Sequence, residues 1–443
     1  LTLGGSVATD LTVTSGGQLI FDGTTLGTVA TPTAQLSVTT GGNIGQTGGT
    51  GLTVHGTATL DAGSNDIALN EAANDFTDTV TVTSARNLAL RDINALELGE
   101  ITARGTASVT TEGAITQKAG TTNGLNIAGN VTFDTGATGA DITLTHAANV
   151  FEGDVAIANA NDVTIDSASA LHLVSATVKG NLTLTSAGRV YNADVWTVDG
   201  NTFIDAAGQD VILTADHDFK GTVTVVARNL TINDVNDITF GDVTLTGGLS
   251  VTAGGAISSA GVITVAGRTS LQSSGATSAV DLQNAANDFG GAVSVVSQGQ
   301  VTLRDANAII LGNSNIGSSL NVHASGTVTD SGAVTVSGAA TIAGTDVVLD
   351  FADNDFRGTV AVSGGTVTLR DANALVLSTI TATSALSVTT GGLLSGSGVI
   401  TSNGATTFNT NGADIALSNT SSDYTGRVTV VRAGSITLNA AND

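Results

Sequence analysis

The residues best suited to chemistry in this chain are the Asp and Asn of a motif, Arg-Asp-x-Asn-Ala, that occurs three times, at residues 91–95, 304–308 and 370–374. A related string occupies residues 233–237, and Ser167 takes the place of the Asp in a further copy. Carboxylates serve as general acids and bases and as calcium ligands. The copies are candidate catalytic or calcium-binding groups only where the fold brings several of them together.

A structural role for this motif is favoured over a catalytic one. Asp and Asn close turns by hydrogen bonding to their own backbone, and they tolerate left-handed backbone geometry. In a stacked fold, copies three coils apart lie ~14 Å apart, at ~4.8 Å for each coil. The two carboxyl groups of a glycosidase lie only about 5–9.5 Å apart. The sequence therefore predicts that Asp92, Asp305 and Asp371 close turns.

The remaining candidate groups do not form a recognisable site either. The acidic stretches 350–355 and 216–218 match no EF-hand loop or calcium β-roll repeat, and a weak surface calcium site is the alternative there. The histidines share no repeat position: they are His55, His146, His172, His217 and His323. The segments that break the pattern are 191–196, with the only Trp, and 41–49. We predict no catalytic, cofactor or metal site and no enzyme activity.

The composition narrows the classes of partner. The chain has 443 residues, and 38 acidic against 14 basic side chains give it a formal net charge of −24. Such a surface repels nucleic acids and anionic membranes, so neither is an expected partner. Cysteine is absent, which excludes disulfides and thiolate chemistry. No run of about 18 apolar residues occurs, so no membrane-spanning helix is predicted.

Internal repetition with a period near 70 residues dominates the chain. An aromatic residue recurs at Phe76, Phe151, Phe219, Phe289, Phe356 and Tyr424. A second column keeps the same period at Leu60, Phe133, Phe203, Leu271, Ile342 and Phe408. A third contains the pairs 36/38, 107/109, 182/184, 249/251, 320/322 and 386/388. Three columns with one period indicate a repeat architecture along the whole chain.

Each repeat consists of short strands. Apolar residues alternate with small polar ones, and Gly, Asn, Asp or Ser separates the alternating segments, a pattern typical of strands with one buried face. Equivalent positions continue without a closing signal, which favours a β-solenoid over a sandwich or barrel. We expect about three coils in each repeat. The repeated Phe residues are predicted to lie in the core near one corner; exposed platforms for sugar stacking are the alternative.

The repeats resemble those of filamentous haemagglutinin-like adhesins, the large exoproteins of two-partner secretion. The resemblance lies in the strings that begin at Asn87, NLALRDINALELGEITARGTASVTTEGAIT, and at Val367, VTLRDANALVLSTITATSALSVTTGGLLS, with a third from Leu230. It implies a right-handed parallel β-helix, a cell-surface or extracellular location, and export with an outer-membrane secretion partner. Glycans or proteins of host or neighbouring cells are the implied binding partners.

The leading interpretation is that residues 1–443 form one continuous solenoid shaft of a bacterial surface or secreted adhesin. The shaft would hold distal binding regions away from the cell. A subunit of a self-associating extracellular filament is the alternative, and a carbohydrate-active β-helix enzyme is a weaker one. Because the apolar columns run to Leu1 and Asp443, we expect the parent chain to continue beyond both with similar coils.

Overall fold

The computed structural model describes residues 1–30 and 32–441, which form an all-β parallel solenoid of about 22 coils. The only helical segment in those ranges is a 3-10 turn at Gly136–Thr138. The predicted fold class is confirmed; the right-handedness implied by the resemblance stays a prediction. Asp443 lies outside the described residues. The chain divides into two compact units, Leu1–Gly221 and Thr222–Asp443, and each is described by itself.

The first unit consists of short strands, because Gly, Asn, Asp and Ser interrupt the apolar alternation every few residues. Its strands are β1 Thr2–Val7, β2 Leu11–Ser15, β3 Leu19–Leu26, β4 Leu36–Thr40, β5 Ile44–Gln46, β6 Leu52–Val54, β7 Ala58–Asp61, β8 Ile67–Leu69, β9 Asp75–Phe76, β10 Val80–Ala85, β11 Leu88–Asp92, β12 Leu96–Ala103, β13 Ala107–Thr111, β14 Ile115–Gln117, β15 Leu125–Ile127, β16 Val131–Asp134, β17 Ile142–Leu144, β18 Val150–Phe151, β19 Val155–Ala160, β20 Val163–Ser167, β21 Leu171–Val178, β22 Leu182–Ser186, β23 Val190–Tyr191, β24 Trp196–Val198, β25 Thr202–Asp205 and β26 Val211–Phe219.

The second unit has the same construction. Its strands are β27 Thr222–Ala227, β28 Leu230–Asp234, β29 Ile238–Leu245, β30 Leu249–Ala253, β31 Ile257–Ser259, β32 Ile263–Val265, β33 Thr269–Ser273, β34 Val280–Leu282, β35 Asp288–Phe289, β36 Ala292–Ser297, β37 Val301–Asp305, β38 Ile309–Leu311, β39 Ser314–Ile316, β40 Leu320–Ala324, β41 Val328–Asp330, β42 Val334–Val336, β43 Ala340–Ala343, β44 Val347–Leu349, β45 Asp355–Phe356, β46 Thr359–Gly364, β47 Val367–Asp371, β48 Leu375–Ala382, β49 Leu386–Thr390, β50 Leu394–Gly396, β51 Ile400–Ser402, β52 Thr406–Asn409, β53 Ile415–Leu417, β54 Asp423–Tyr424, β55 Val428–Arg432 and β56 Ile436–Leu438.

Each coil contributes one strand segment to each of two parallel ladders. In the first unit, ladder 1 contains β1, β3, β5, β6, β8, β9, β11, β13, β16, β19, β21, β23, β24 and β26, and ladder 2 contains the other strands. In the second unit, ladder 3 contains β27, β29, β31, β32, β34, β35, β37, β40, β43, β46, β48, β50, β51, β53, β54 and β56, and ladder 4 contains the rest. Coils vary in length: Leu11 pairs with Leu36, whereas Val80 pairs with Leu98.

One sequence repeat comprises three and a half coils, close to the expected three. The extra half-coil places equivalent residues of successive repeats in different ladders. Leu36 lies in ladder 2, and the equivalent residue of the next repeat, Ala107, lies in ladder 1, seven half-coils later. The next equivalent, Leu182, lies again in ladder 2. In the second unit Leu249 and Leu386 lie in ladder 4, with the equivalent residue between them in ladder 3. Successive repeats therefore exchange ladders within each unit.

The repeated aromatic residues are buried, as predicted, and their side chains are only 1–2% exposed at Phe76, Phe151, Phe219, Phe289 and Phe356. The prediction that they lie near one corner is wrong. In the first unit Phe76 and Phe219 lie in ladder 1, and Phe151 lies in ladder 2. In the second unit Phe289 lies in ladder 3 and Phe356 in ladder 4. An odd number of half-coils in each repeat causes this alternation.

Phe203 departs from the second apolar column, whose other members are buried. Val109 pairs with Phe133 in the ordinary register, whereas Leu184 pairs with Ile204. The strand is thus shifted by one residue, Ile204 fills the interior, and Phe203 is 37% exposed. Because side chains alternate between the two faces of a strand, a shift of one residue is enough to turn this ring outward.

Candidate functional site

Buried polar side chains in the interior are the most regular chemical feature of both units. The Asp of each Arg-Asp-x-Asn-Ala motif is at most 2% exposed, at the end of β11, β37 and β47. One carboxylate oxygen accepts the backbone N–H two residues later, at 2.6 Å for Asp92, 2.6 Å for Asp305 and 2.7 Å for Asp371. These bonds close the turn after the strand, so the predicted turn role is confirmed.

The second oxygen of the same carboxylate reaches the neighbouring coil. Asp92 Oδ2 accepts the N–H of Phe76 at 2.7 Å, and Asp305 Oδ2 accepts that of Phe289 at 2.9 Å. Asp371 does the same for Phe356, at 2.7 Å. Phe76, Phe289 and Phe356 each end the string Asn-Asp-Phe, at residues 74–76, 287–289 and 354–356. This string and the motif Arg-Asp-x-Asn-Ala are thus the two halves of one contact between coils.

Burial determines the electrostatics of these carboxylates. It raises the pKa of Asp92 to about 6, and it raises the pKa of Asp305 and of Asp371 in the same direction. The two backbone N–H donors on each carboxylate oppose this rise, and a neighbouring acid, Asp75 in the case of Asp92, adds to it. A carboxylate with two backbone bonds and no cation beside it is suited to support a turn rather than to catalyse a reaction.

The Asn of the Asn-Asp-Phe string forms a second contact between coils. Asn74, Asn149 and Asn287 are 0% exposed and lie where a long strand is interrupted. Their Oδ1 atoms accept the N–H groups of Leu52, Leu125 and Ile263 in the preceding coil, at 2.8–2.9 Å. Their Nδ2 groups donate to the carbonyls of Leu69, Leu144 and Leu282 at 3.0–3.1 Å. The side chain thus provides the bonds that the interrupted strand cannot.

The third repeat departs from this arrangement, in the segment that the sequence marks as irregular. His217 takes the Asn position, and its Nδ1 accepts the N–H of Trp196 at 2.9 Å. The Nε2 of His217 is buried and has no partner in the described ranges. Burial lowers the pKa of this imidazole to about 4. Trp196 is fully buried and donates from Nε1 to the carbonyl of Leu173 at 2.8 Å, so the unique Trp is a core residue.

Tyr191, in the same segment, is half-buried and does not offer a free ring face. The ring of His172 stacks on it at 4.1 Å, and the guanidinium of Arg189 lies 4.2 Å from its centroid. Two groups at that distance must occupy opposite faces of the ring. His172 Nδ1 lies 2.6 Å from Asp154 Oδ1. The cluster is a surface stack in which the Tyr191 ring already contacts an imidazole and a guanidinium.

The structure does not bring the other candidate residues together. The motif Asp residues of the second unit, Asp305 and Asp371, lie in different ladders. No group of three or more His, Asp or Glu residues that could hold a metal ion occurs in residues 1–30 and 32–441. The acidic stretch 350–355 bonds to its own fold: Asp330 accepts the N–H groups of Asp350 and Phe351 at 3.2 Å. A cleft of about 330 Å³ in the first unit is lined by Ala and Ser side chains and by Asp166 and Asp205, without a basic group.

The sequence contained a signal for the missed contacts. An Asn precedes the repeated aromatic by two residues in four of the six repeats, and its fixed offset marks a side chain whose bonds depend on position. An Asn and an Asp directly before a strand are typical of a turn. The reach of this Asn into the adjacent coil could not be read from the sequence, because the register between coils was not known.

Comparison with known proteins supports a repeat period near 70 residues. The model of one protein family, described as repeats of unknown function (DUF5649), matches six consecutive segments, residues 18–83, 85–158, 160–226, 227–296, 298–363 and 364–431. A search of curated proteins and a search of solved structures found no match. In the described ranges, no helix is long and apolar enough to cross a membrane.

Proposed function

The chain belongs to the DUF5649 repeat family, whose function is unknown, and we propose a function from the geometry of its coils. We propose that it is a structural shaft of a large bacterial surface or secreted adhesin. The shaft is extracellular and holds distal binding regions away from the cell. The observation that carries this proposal is the recurrence of the buried Asp and Asn contacts between coils. They occur at the same position in successive repeats and bond only to the fold itself.

A spacer needs cohesion between adjacent coils and a unit that can be duplicated. Parallel backbone ladders provide the cohesion, and stability then depends on each repeat and its immediate neighbours. The side-chain bonds of Asn287 and Asp305 close the gaps that strand interruptions leave in the ladder. A catalytic function would instead require one unique cluster of groups that departs from the repeat.

The resemblance to filamentous haemagglutinin-like adhesins supports the finer parts of the proposal. It suggests export with an outer-membrane secretion partner and adhesion to glycans or proteins of other cells. The net charge of −24 agrees with an exported surface that avoids nucleic acids and anionic membranes. The filament alternative requires a lateral patch that recurs along the chain, whereas equivalent residues of successive repeats, such as Leu249 and Leu320, lie in different ladders.

Deletion of one matched repeat, residues 298–363, tests the shaft function. The deletion joins Ser297, at the end of β36 in ladder 4, to Gly364, at the end of the equivalent strand β46 in ladder 3. The strands after the junction therefore exchange ladders, as they do between successive repeats. We expect a folded, β-rich protein that still reaches the cell surface, as measured by circular dichroism and by immunogold labelling of producing cells. The control deletion of residues 298–330 removes about half a repeat and should unfold the neighbouring coils.

Three outcomes would contradict the proposal. Labelling confined to the cytosol would exclude a surface shaft. Loss of folding in the deletion of residues 298–363 would show that repeats are not interchangeable. Assembly of the purified protein into regular filaments would favour the alternative function.

A further inference from the structure

The second unit contains a surface groove whose walls include residues that the repeat does not explain. Two adjoining clefts of about 450 and 480 Å³ share Asn313, on the outer side of ladder 4. The first cleft is lined by Arg268, Thr269, Ser270, Ala292, Ser294, Gly312, Asn313, Ser331, Gly332 and Phe351, and the second by Val296, Asn313, Ser314, Asn315, Ala333, Thr335 and Arg357. Volumes of this size are typical of small-ligand sites.

Glycines at the floor of the groove leave space that a side chain would fill. A Cβ atom on Gly312 would clash with Ser294 Oγ, and a Cβ atom on Gly332 would lie 2.7 Å from the backbone nitrogen of Asn313. The break between β38 and β39 falls at Gly312 and Asn313, where the strand turns. The groove crosses the coils of β33, β36, β38/β39 and β41/β42, a length of about 14 Å at ~4.8 Å for each coil.

Two of the residues in the groove are exceptions to the repeat. Phe351 lies five residues before the buried aromatic, where the other repeats have Glu71, His146, Thr214, Asn284 and Asn419. Arg268 lies directly before an inward-facing strand residue, where the other repeats have Thr57, Asn130, Asn201, Ala339 and Ala405. A spacer requires neither of them. They are 83 positions apart in the chain, yet both line the same cleft.

The side chains of Phe351 and Arg268 are exposed in the groove and can contact a ligand. Phe351 is 37% exposed. Arg268 is exposed and has no hydrogen bond or ion pair from its guanidinium in the described ranges. Asn313 lines both clefts, and its Oδ1 accepts the N–H of Ala333 at 3.0 Å, so its Nδ2 group is the part of the amide that can donate to a ligand. Ser270 and Ser294 add hydroxyl groups along the same wall.

We propose that this groove binds a neutral oligosaccharide. Phe351 provides a ring for the apolar C–H face of a sugar unit. Arg268 and Asn313 donate hydrogen bonds to sugar hydroxyls, and the serine hydroxyls both donate and accept. The shaft itself thus carries a glycan site, in addition to any binding region at its distal end.

The surroundings of the groove select this class of ligand. Of the two arginines that line the clefts, Arg357 is paired with Asp355 at 2.7 Å, and Asp330 and Asp350 lie beside the backbone of Phe351. Arg268 is then one cation, unpaired within the described part of the chain, on a protein with a formal net charge of −24, which favours a neutral glycan over a polyanionic one. An extended peptide binds by adding a strand to a free sheet edge. The floor of the groove is instead formed by strands that are paired on both sides, such as β36 and β39.

The test is calorimetric titration of the 443-residue protein with neutral trisaccharides of glucose, mannose, galactose and N-acetylglucosamine, and with heparin as an anionic probe. We expect saturable binding of at least one neutral trisaccharide and no binding of heparin. Phe351→Ala should weaken the affinity at least tenfold, and Phe351→Trp should retain it. Arg268→Ala should also weaken it.

Matched controls come from the same chain. Phe203 is exposed to the same extent, 37%, and lies in the other unit, so Phe203→Ala should leave the affinity unchanged. Arg304→Ala is the control for Arg268→Ala, because Arg304 is exposed but lines neither cleft, and it should also leave the affinity unchanged. Circular dichroism checks the folding of each variant. The proposal is overturned if no neutral trisaccharide binds up to ~10 mM, a free energy weaker than about −3 kcal/mol. It is equally overturned by binding of heparin alone, or by equal losses in Phe351→Ala and Phe203→Ala.

Discussion

Replacement of Asn287 by Ala should loosen one contact between coils without disturbing the rest of the solenoid. The change removes the acceptor of the Ile263 N–H, at 2.9 Å, and the donor to the Leu282 carbonyl, at 3.1 Å. Each of the two backbone groups then loses its side-chain partner in the interior. Each such group costs roughly 1–3 kcal/mol, so the expected local loss is about 2–6 kcal/mol. Since solenoid stability is a sum over neighbouring coils, the loss should stay near residues 263–289.

Hydrogen–deuterium exchange with mass spectrometry measures the local loss of stability at the affected amides. A single melting temperature cannot locate such a loss in a repeat protein, because its unfolding need not be two-state. A loss of about 2 kcal/mol accelerates exchange of the Ile263 amide roughly 30-fold, since ~1.4 kcal/mol corresponds to a factor of ten. The control is Asn307→Ala, the same substitution at an exposed Asn of the same unit. Unchanged protection at Ile263, or an equal change in the control, would refute the role assigned to Asn287.

Three further perturbations test other parts of the structure. Because burial lowers the pKa of His217 from 6.5 to about 4, its contribution to the free energy of unfolding of the first unit should fall by ~3 kcal/mol from pH 7 to pH 4, whereas the raised pKa of Asp92 contributes in the opposite direction, so the effect is measured as the difference between the protein and His217→Asn. In urea denaturation, the loss of stability from pH 7 to pH 4 should be ~3 kcal/mol larger in the protein than in His217→Asn, and an equal pH dependence of the two would contradict the assignment. Asp305→Asn leaves one of two backbone donors without an acceptor, so exchange of the Phe289 amide should report a loss of about 1–3 kcal/mol, and intact protection would exclude the contact. Phe289→Ala should cost about 3–5 kcal/mol locally, and an effect on exchange no larger than that of the exposed Phe351→Ala would show that the ring is not a core residue.

Much of the fold could be predicted because it depends on local patterns. Alternating apolar residues marked strands such as β47 and β49, and Asp before Asn marked the turn after β47. Burial of Phe356 followed from its place in a column of equivalent residues. Each of these inferences needs only a few neighbouring residues and their period.

The missed features all depend on the register between coils. A long strand such as β12 and an interrupted pair such as β14 and β15 occupy the same place in a coil, yet they differ in length. The number of coils in a repeat therefore cannot be obtained by dividing its length by an average coil. Without that number, the contact of Asp92 with Phe76 and the meeting of Arg268 with Phe351 could not be predicted.

The odd number of half-coils in a repeat explains why the sequence is so uniform. Within each unit, a given repeat position lies in one ladder in one copy and in the other ladder in the next, as Leu249 and Leu320 show. Each consensus residue must therefore suit both ladders, which favours small and β-branched residues together with turns that close in the same way on either side. Equivalent outward residues also alternate between the two ladders and cannot form a continuous stripe on one of them. A binding site on one ladder, such as the groove with Arg268 and Phe351, can then arise only from residues that differ from the repeat consensus. Positions that differ from the consensus are therefore the ones at which to look for binding residues.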